Sequence, residues 1–223
     1  MGVKDSQIDR GKRRAVSGGQ SAEDHAPRCL ALRPAWGGID TLHILAGVPS
    51  TQTLLDIAGS KLTASRSSIN PLARKSFGGD PDEQALNRVK VEAQICADIN
   101  YLGTTISLAT FLPLLSRSRS PVLHHLSSVA ATVPAPKRAI YSATKAAGLM
   151  AVEACRVECE GSGVRFLSIL PGTIDNGFRH KSATSETGGE CEVANGVKSS
   201  LDGLLLPPHK GGQWCCGGVV LKN

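Results

Sequence analysis

The sequence predicts an α/β fold in which helices pack on a mainly parallel sheet in three αβα layers. Short runs of Val, Ile and Leu, each about the length of a strand, alternate with longer segments whose apolar residues recur at helical steps. Such alternation is typical of right-handed βαβ units. The 223 residues fit one domain, and 41% hydrophobic residues with a mean hydropathy of −0.06 describe an ordinary globular protein.

Composition divides the chain into a leader, a main domain and a tail. Residues 1–36 are polar, contain the basic cluster 10–14 and predict mostly irregular structure. Residues 37–207 predict the α/β domain. Within it, residues 60–82 are rich in Ser, Gly, Arg and Pro and predict a long inserted loop. Residues 208–223 form a tail rich in Gly and Cys.

The elements of the domain are predicted in order along the chain. Residues 39–45 are a short apolar run after two glycines, which favours a buried parallel strand. The elements predicted after it are a helix at 83–116, a strand at 122–126, a helix at 141–160, a strand at 164–170, a helix near 193–201 and a last strand at 204–206 or 219–221.

The long helix at 83–116 carries its apolar residues at roughly helical steps, which predicts the face that packs on the core. These residues are Leu86, Val89, Ala93, Ala97, Leu102 and Ile106. Because proline lacks an N–H and its ring crowds the preceding turn, Pro113 predicts an end or a kink near Leu112.

The chemistry of the chain centres on Tyr141 and Lys145, which are four residues apart and therefore share a face of the predicted helix. A lysine ammonium beside a phenol lowers the phenol pKa from about 10. The hydroxyl then becomes usable as a proton donor and acceptor near neutral pH. Ser128 follows the preceding apolar strand, and Asn100 lies in the helix before that strand.

This ordered set resembles the short-chain dehydrogenase/reductase family, over residues 36–173 and more weakly to 207. The run at 38–47, which ends in Ala46 and Gly47, resembles the family's strand ending in Asn-Asn-Ala-Gly. Asn100 and Gly103 resemble the helix segment that carries the family's catalytic asparagine. The resemblance implies a Rossmann-like fold and hydride transfer between a nicotinamide and a small-molecule carbonyl or secondary alcohol.

The resemblance also implies a role for each matched polar residue. Tyr141 would exchange a proton with the substrate oxygen. Lys145 would lower the pKa of the tyrosine and hold the nicotinamide ribose. Ser128 would hydrogen-bond the reacting oxygen, and Asn100 would support a water in the proton relay.

The cofactor implied by the resemblance is NAD or NADP, with NADP favoured. Besides Tyr141 and Lys145, the residues that would border or contact its nicotinamide half are Ala46, Gly47, Pro171, Gly172 and Ile174.

Two departures from the family pattern concern the adenosine half of the cofactor site. The phosphate loop, Thr-Gly-x-x-x-Gly-x-Gly after a first strand, is absent, and Gly18 and Gly19 are predicted to have no strand before them. Leu45 stands where the family has asparagine. The N-terminal βαβ units are therefore predicted to be truncated or missing, and dinucleotide binding is predicted to be weak. The strand at 39–45 would need cover at its edge, from residues 29–32 or from another chain.

Alternative interpretations follow from these departures. The chain is either a working oxidoreductase, a non-catalytic remnant that acts at most by binding a partner, or an incomplete sequence of a normal enzyme. In this family the two long helices usually pair with a second copy, so a homodimer is expected. The second helix offers small residues for close packing at Ala146, Ala147, Ala151 and Ala154.

Neighbouring polar residues compete for the same roles. His124 and His125 precede the serine pair in the predicted strand, and strand histidines of this kind are more often structural than catalytic. Ser127 competes with Ser128, and the spacing to Tyr141 favours Ser128.

Composition argues against other function classes. The net charge of +6 is not gathered into a stripe that would bind nucleic acid. The seven cysteines show no Cys-x-x-Cys and no histidines at zinc spacing, so no metal site is predicted. Free thiols suit a reducing intracellular compartment, and we expect the cytoplasm. No uninterrupted apolar run reaches the roughly 18 residues that span a bilayer, and no signal peptide is recognised.

Overall fold

The computed structural model describes residues 14–17, 37–63, 76–174, 190–191, 212–215 and 218–220. The strands are β1 (Arg14–Ser17), β2 (Thr41–Ile44), β3 (Lys61–Thr63), β4 (Ser76–Gly78), β5 (Val122–Leu126), β6 (Arg165–Leu170), β7 (Thr173–Ile174), β8 (Glu190–Cys191), β9 (Gly212–Cys215) and β10 (Gly218–Val220). The helices are α1 (Leu54–Ile57), α2 (Glu83–Ala97), α3 (Gly103–Leu115) and α4 (Ala139–Glu158). A π-helical segment, Asp98–Leu102, joins α2 to α3. A short 3-10 turn spans Val129–Ala131.

A six-stranded sheet in the order β1-β2-β5-β6-β9-β10 forms the centre of the structure. Its first five strands are parallel, and β10 is antiparallel to β9. The predicted α/β class with a mainly parallel sheet is therefore confirmed. The predicted strands at 122–126 and 164–170 and the predicted helix at 141–160 correspond to β5, β6 and α4, with ends shifted by at most two residues.

The first strand corrects the prediction for the leader. Arg14–Ser17 pairs in parallel with β2, Val16 opposite His43, so a strand does precede Gly18 and Gly19. This pairing covers the edge of β2 that would otherwise present unpaired backbone groups. The strand was missed because its two apolar residues give no periodic signal, and its pairing depends on a partner distant in sequence. The alternative cover at residues 29–32 lies outside the described residues.

The inserted segment is also more ordered than predicted at its two ends. β3 and β4 pair antiparallel, with Leu62 opposite Phe77, and the Ser60 hydroxyl donates to the Gly79 carbonyl at 2.8 Å. The prediction of a structureless loop at 60–82 is therefore wrong for these ends, because backbone pairing, which composition does not reveal, holds them together. Residues 64–75 lie outside the described residues.

The long helix is confirmed, with one difference at its end. Asp82 caps it by accepting a hydrogen bond from the Ala85 N–H at 2.7 Å. Its helical backbone continues through α2, the π segment and α3 to Leu115, so Pro113 lies inside the last turn and does not end the helix. Leu114 and Leu115 are buried, and their packing holds that turn in place.

The face by which this helix packs differs from the prediction. Leu86 is 55% exposed, whereas Cys96, Asn100, Thr104 and Ser107 are buried. From Cys96 to Ser107 the fully buried side chains are small or polar, which allows close packing, whereas from Leu108 onward they are mostly apolar. Hydrophobic periodicity therefore could not identify the first part of this face.

The main core lies between the sheet and α3 and α4. It is made of Ile39, Leu42, Ile44, Leu108, Phe111, Leu114, Leu115, Leu123, Val152 and Phe166. These residues come from β2, β5, β6, both helices and the segment before β2, so the core joins every described element that carries the site.

The C-terminal end of the sheet was only partly predicted. The strand at 219–221 is confirmed within one residue as β10, but it pairs antiparallel with β9. The strand beside β6 is β9, in the segment predicted to be a tail. Its Gly-Gln-Trp-Cys sequence has no apolar run to indicate a strand. The helix at 193–201 and the strand at 204–206 lie outside the described residues.

In the described part of the chain, one helical segment is long and apolar enough to cross a membrane by length and composition alone, although no membrane span was predicted. Glu83–Leu115 has 33 residues and a mean hydropathy of 1.2 in its most apolar window. In the structure, Leu108, Phe111, Leu114 and Leu115 of this segment pack into the core. Core helices pass the same test, so composition here does not show a span.

We expect Leu42→Ala to destabilise the protein by about 2–5 kcal/mol, because it removes a side chain that is 0% exposed at the centre of the core. Leu86→Ala is the matched control and should change stability by less than about 0.5 kcal/mol. Urea unfolding followed by circular dichroism measures both. Equal effects of the two substitutions would contradict the placement of the core.

Candidate active site

The carboxyl ends of β2, β5 and β6 lie at one edge of the sheet, and the segments that follow them carry predicted site residues. Ala46 and Gly47 follow β2, Ser128 follows β5, and Pro171 and Gly172 follow β6. The backbone after β5 is tied to the segment after β6 by a hydrogen bond from the N–H that follows Ser128 to the Pro171 carbonyl, at 3.0 Å. The sheet therefore brings together three segments that are far apart in sequence.

Ser128 and Tyr141 are brought into direct contact. Both residues are buried, and the Ser128 hydroxyl lies near enough to favour the ionised phenol and to lower the pKa of Tyr141 in part. The Ser128 hydroxyl also accepts the Ala130 N–H at 3.2 Å, which holds the serine in place. The Ser127 hydroxyl is buried without a hydrogen-bond partner among the described residues. The geometry thus agrees with the choice of Ser128 over Ser127.

Lys145 lies buried beneath the same edge of the sheet. Its ammonium donates to the carbonyls of Leu126 at 3.3 Å and Ala46 at 3.4 Å, where β5 and β2 end. Burial lowers the pKa of Lys145 to about 8. A Cβ on Gly47 would come within 2.9 Å of the ammonium nitrogen, so a larger residue at 47 would displace the end of the lysine side chain.

The state of the tyrosine differs from the prediction that lysine lowers its pKa. Burial raises the pKa of Tyr141 above its usual value of 10.0, while the hydrogen bond from Ser128 and the charge of Arg138 lower it in part. The ammonium of Lys145 is directed to backbone carbonyls. The prediction is wrong in direction because helical spacing fixes which face a side chain occupies, but not where its flexible end lies or how deeply its neighbour is buried.

Asn100 connects the long helix to the loop after β2 and to α4. Its side-chain oxygen accepts the Val48 N–H at 2.9 Å, and its side-chain nitrogen donates to the Val48 carbonyl at 3.1 Å. The same nitrogen donates to the Thr144 hydroxyl at 3.0 Å. Asn100 is therefore fully engaged in holding the segment that contains Gly47 against the helix that contains Tyr141.

The backbone around Asn100 has its own constraint. Asn100 lies in the π-helical segment, a local widening that often occurs at functional sites. Its carbonyl accepts the Thr104 hydroxyl at 3.1 Å and lies so close to Gly148 that a Cβ there would come within 2.6 Å. Only glycine at 148 allows α4 to approach the π segment this closely.

The remaining predicted cofactor-site residues follow β6. Pro171 is buried and Gly172 is half-buried. The backbone of Ile174 belongs to β7, where it pairs with Cys191 of β8. Leu45, which replaces the family's asparagine, is 41% exposed directly after β2.

Three residues of the site were missed by sequence reasoning. Thr144 bonds Asn100, Gly148 admits the Asn100 carbonyl, and Arg138 lies over the ring of Tyr141. Thr144 lies within the Tyr141–Lys145 stretch and could have been considered from position alone. The other two depend on contacts between different elements or on side-chain direction, which the sequence pattern does not reveal.

The two strand histidines are buried parts of the sheet. His124 lies opposite His43 of β2, with their Nδ1 atoms 3.1 Å apart. Burial lowers the pKa of His124 to about 4, and nearby His43 contributes to that shift. Burial also lowers the pKa of His125 to about 3, and the nearby Lys145 and His124 contribute. Both histidines are therefore neutral near pH 7, in agreement with a structural role.

Cysteines and metal ligands contribute no site in the described part of the chain. Cys96, Cys155 and Cys159 are free thiols. Burial raises the pKa of each, so they remain protonated near neutral pH. In residues 37–61 and 77–172, where side chains are described, no group of three or more His, Cys, Asp or Glu is arranged to hold a metal ion.

Comparison with known sequences agrees with this geometry. A sequence model of the short chain dehydrogenase family matches residues 78–187. An uncharacterized oxidoreductase of Staphylococcus haemolyticus is 34% identical over 114 residues, which cover 50% of this chain and 48% of that protein. Estradiol 17-beta-dehydrogenase 2 of Mus musculus is 38% identical over 77 residues, which cover 34% of this chain and 20% of that protein.

Solved structures show the same fold. A short chain dehydrogenase from Burkholderia cenocepacia in complex with NADP superposes with a TM-score of 0.59 at 23% identity, covering 88% of this chain and 65% of that one. An alcohol dehydrogenase from Thermococcus sibiricus complexed with 5-hydroxy-NADP gives a TM-score of 0.59 at 18% identity, covering 87% and 69%.

The family model, the relatives and the structural neighbours together support membership of the short-chain dehydrogenase/reductase family. Its sheet is the Rossmann-type sheet of that family. The matches to the Staphylococcus haemolyticus oxidoreductase and the Mus musculus dehydrogenase cover half or less of those proteins.

We expect acid to destabilise the protein through the buried histidines. An unfolded histidine takes up a proton near pH 6.5, whereas folded His125 does so only near pH 3. Between these values the unfolded state holds more protons, so the free energy of unfolding falls as the pH falls, by up to about 1.4 kcal/mol per pH unit for this residue. Urea unfolding at several pH values should show a shallower dependence for His125→Leu. An unchanged slope would contradict burial of a neutral His125.

Proposed function

We propose that this chain is an NAD(P)-dependent oxidoreductase that transfers a hydride between a nicotinamide and a small carbonyl or secondary alcohol. The observation that carries the proposal is the convergence of Ser128, Tyr141, Lys145 and Asn100, all buried, at one edge of the sheet. Membership of the short-chain dehydrogenase/reductase family supports the same reaction class.

In this proposal the chain's own residues handle the proton and the charge. Tyr141 donates its phenol proton to the substrate oxygen during reduction and accepts one during oxidation. The Ser128 hydroxyl, already beside the phenol, donates a hydrogen bond to the same oxygen and stabilises its developing negative charge. Asn100 donates to the Thr144 hydroxyl, which in turn donates to the Tyr141 carbonyl, so the backbone that carries the tyrosine is held in place.

The same edge fits the nicotinamide half of a dinucleotide. Gly47 leaves room beside Lys145, whose ammonium is suited to ribose hydroxyls, and Pro171 and Gly172 border the site from β6. β1 ends at Ser17 at this edge and leads into a glycine pair, which restores one element of the family's phosphate site. When bound, the cofactor supplies or accepts the hydride. We favour NADP, because two structural neighbours are described with NADP or 5-hydroxy-NADP.

A non-catalytic protein that retains the fold is the second candidate. The observations that favour it are Leu45 in place of the family asparagine and the incomplete glycine motif, both of which weaken dinucleotide binding. Calorimetric titration with NADPH and NADH separates the candidates. Saturable binding together with NADPH-dependent reduction of a carbonyl panel supports the enzyme, and neither binding nor turnover supports the second candidate.

We expect Tyr141→Phe to lower carbonyl reduction by about 10²-fold or more, because it removes the positioned proton donor. Tyr101→Phe is the matched control, since Tyr101 is the other tyrosine of the chain and is 36% exposed. Its rate should remain near wild type. Initial rates at saturating cofactor, with circular dichroism to confirm folding, measure both. Near-full activity in the Tyr141→Phe protein would remove Tyr141 from the mechanism.

We also propose the partners and the cellular compartment of this activity. The partners are a small-molecule carbonyl or alcohol and a dinucleotide, with neither nucleic acid binding nor a membrane span. Free thiols at three described cysteines fit a reducing, intracellular compartment, and we place the protein in the cytoplasm.

We also propose that the protein is a homodimer, with the exposed faces of α2 and α4 at its interface. Val91 and Ile95 are exposed one turn apart on α2, and Met150 and Val157 are exposed on one side of α4. Ala154 lies between the latter two and leaves room for close helix packing. Ala151, on the adjoining side, already packs against the core of its own chain.

We expect wild-type protein to run as a dimer in light scattering at tens of micromolar and Met150→Glu to shift it toward monomer. Met150 is 68% exposed, and a carboxylate there would be buried without a partner in the interface. Leu54→Glu, at an exposed site on α1, serves as the control and should leave the mass unchanged. A folded wild-type monomer would contradict the dimer.

A further inference from the structure

Arg138 lies immediately before α4 and beside Tyr141. Its guanidinium carbon is 5.6 Å from the centre of the Tyr141 ring, within the range of a cation–π contact. Its backbone is fixed on both sides: its N–H donates to the Ala135 carbonyl at 3.2 Å, and its carbonyl accepts the Ser142 N–H at 2.7 Å. The half-buried side chain is therefore attached to a well-held turn next to the tyrosine.

Of the other ionisable groups near Tyr141, Cys96 and His125 are neutral at pH 7, and Lys145 makes its hydrogen bonds to other groups. Cys96 faces it from α2, but burial and Glu92 raise the pKa of that thiol to about 11, so it is neutral at pH 7. Lys145 directs its ammonium to the carbonyls at the ends of β2 and β5. His125, on β5 near Lys145, is neutral because its pKa is about 3.

We propose that Arg138 is a positioning residue for the reaction and that its guanidinium stabilises the phenolate form of Tyr141. The inference rests on the proposed function, in which Tyr141 exchanges the proton. During reduction the phenol O–H bond breaks, its electron pair remains on the phenolate oxygen, and the proton joins the substrate alkoxide. The cation of Arg138 offsets the negative charge left behind. In the reverse direction the same phenolate takes the proton of the alcohol.

The charge is needed because Tyr141 is buried. Burial opposes ionisation of the phenol, and the hydrogen bond from Ser128 and the charge of Arg138 oppose that effect. The guanidinium carbon lies 5.6 Å from the ring centre, and a unit charge at roughly this range from the phenolate oxygen in a partly solvated site shifts an ionisation by about half to one pH unit. Arg138 thus takes over part of the electrostatic role that the sequence assigns to Lys145.

The experiment measures the ionisation of Tyr141 without requiring turnover. The full chain has two tyrosines, so Tyr101→Phe leaves Tyr141 as the only one. Biosynthetic fluorotyrosine ionises at lower pH than tyrosine, which keeps the titration within the range where the protein is folded. Phenolate absorbance and fluorine NMR then give the titration midpoint, and circular dichroism monitors folding.

In this background we expect Arg138→Met to raise the midpoint by about half to one pH unit. Arg138→Lys should restore most of the shift by keeping the cation, and high salt should reduce the difference in midpoint between the R138M protein and its Arg138 parent. Lys137→Asn is the matched control: it removes the neighbouring charge, and asparagine tolerates the φ of 61° at that position. It should leave the midpoint unchanged.

An unchanged midpoint in folded Arg138→Met would overturn the proposal, as would an equal shift in Lys137→Asn. In the active enzyme, the pH profile of kcat should move to higher pH with the midpoint in Arg138→Met, whereas a purely structural role would lower the rate without moving it. Failure of the proposed function is a separate result, namely absence of carbonyl reduction by wild-type protein, and it leaves the titration readable.

Discussion

The arrangement of the site depends on one buried amide, that of Asn100, which is 1% exposed and uses both its donor and its acceptor. It binds both polar groups of the Val48 peptide and the hydroxyl of Thr144, so it joins the long helix, the loop after β2 and α4 at one point. A buried amide that loses such partners bears the full cost of desolvation, about 1–3 kcal/mol for each unsatisfied group. The structure around it is correspondingly constrained.

Two glycines allow this junction to form. Gly148 brings α4 against the carbonyl of Asn100, and Gly47 leaves space for the ammonium of Lys145. The π-helical segment contributes by displacing the Asn100 peptide from the regular helix. The close packing is possible because the two glycines have no side chains. Asn100 and Lys145 then donate hydrogen bonds to the backbone carbonyls of Val48 and Ala46, which follow β2.

The electrostatics of the site follow from its burial. Burial shifts both groups toward their neutral forms: it raises the pKa of Tyr141 and lowers the pKa of Lys145 to about 8, which still leaves the lysine mostly protonated near pH 7. Such a pair is poised for proton exchange only when a further group supports the phenolate. Ser128, after β5, and the charge of Arg138, immediately before α4, both favour the phenolate, so the proposed chemistry depends on these residues as well as on the Tyr141–Lys145 spacing.

The sequence by itself determined the parallel α/β architecture and the set of polar residues at one edge of the sheet. Both can be read from strand-length apolar runs and fixed residue spacings, which do not depend on contacts between distant parts of the chain. Tyr141, Ser128, Lys145 and Asn100 do converge there. Only the tertiary structure decided what depends on partners distant in the chain. β1 and β9 exist through pairing, the middle of the long helix packs by small and polar residues, and the Lys145 ammonium donates to backbone carbonyls. These outcomes depend on burial, close approach and side-chain direction, which no local pattern of residues encodes.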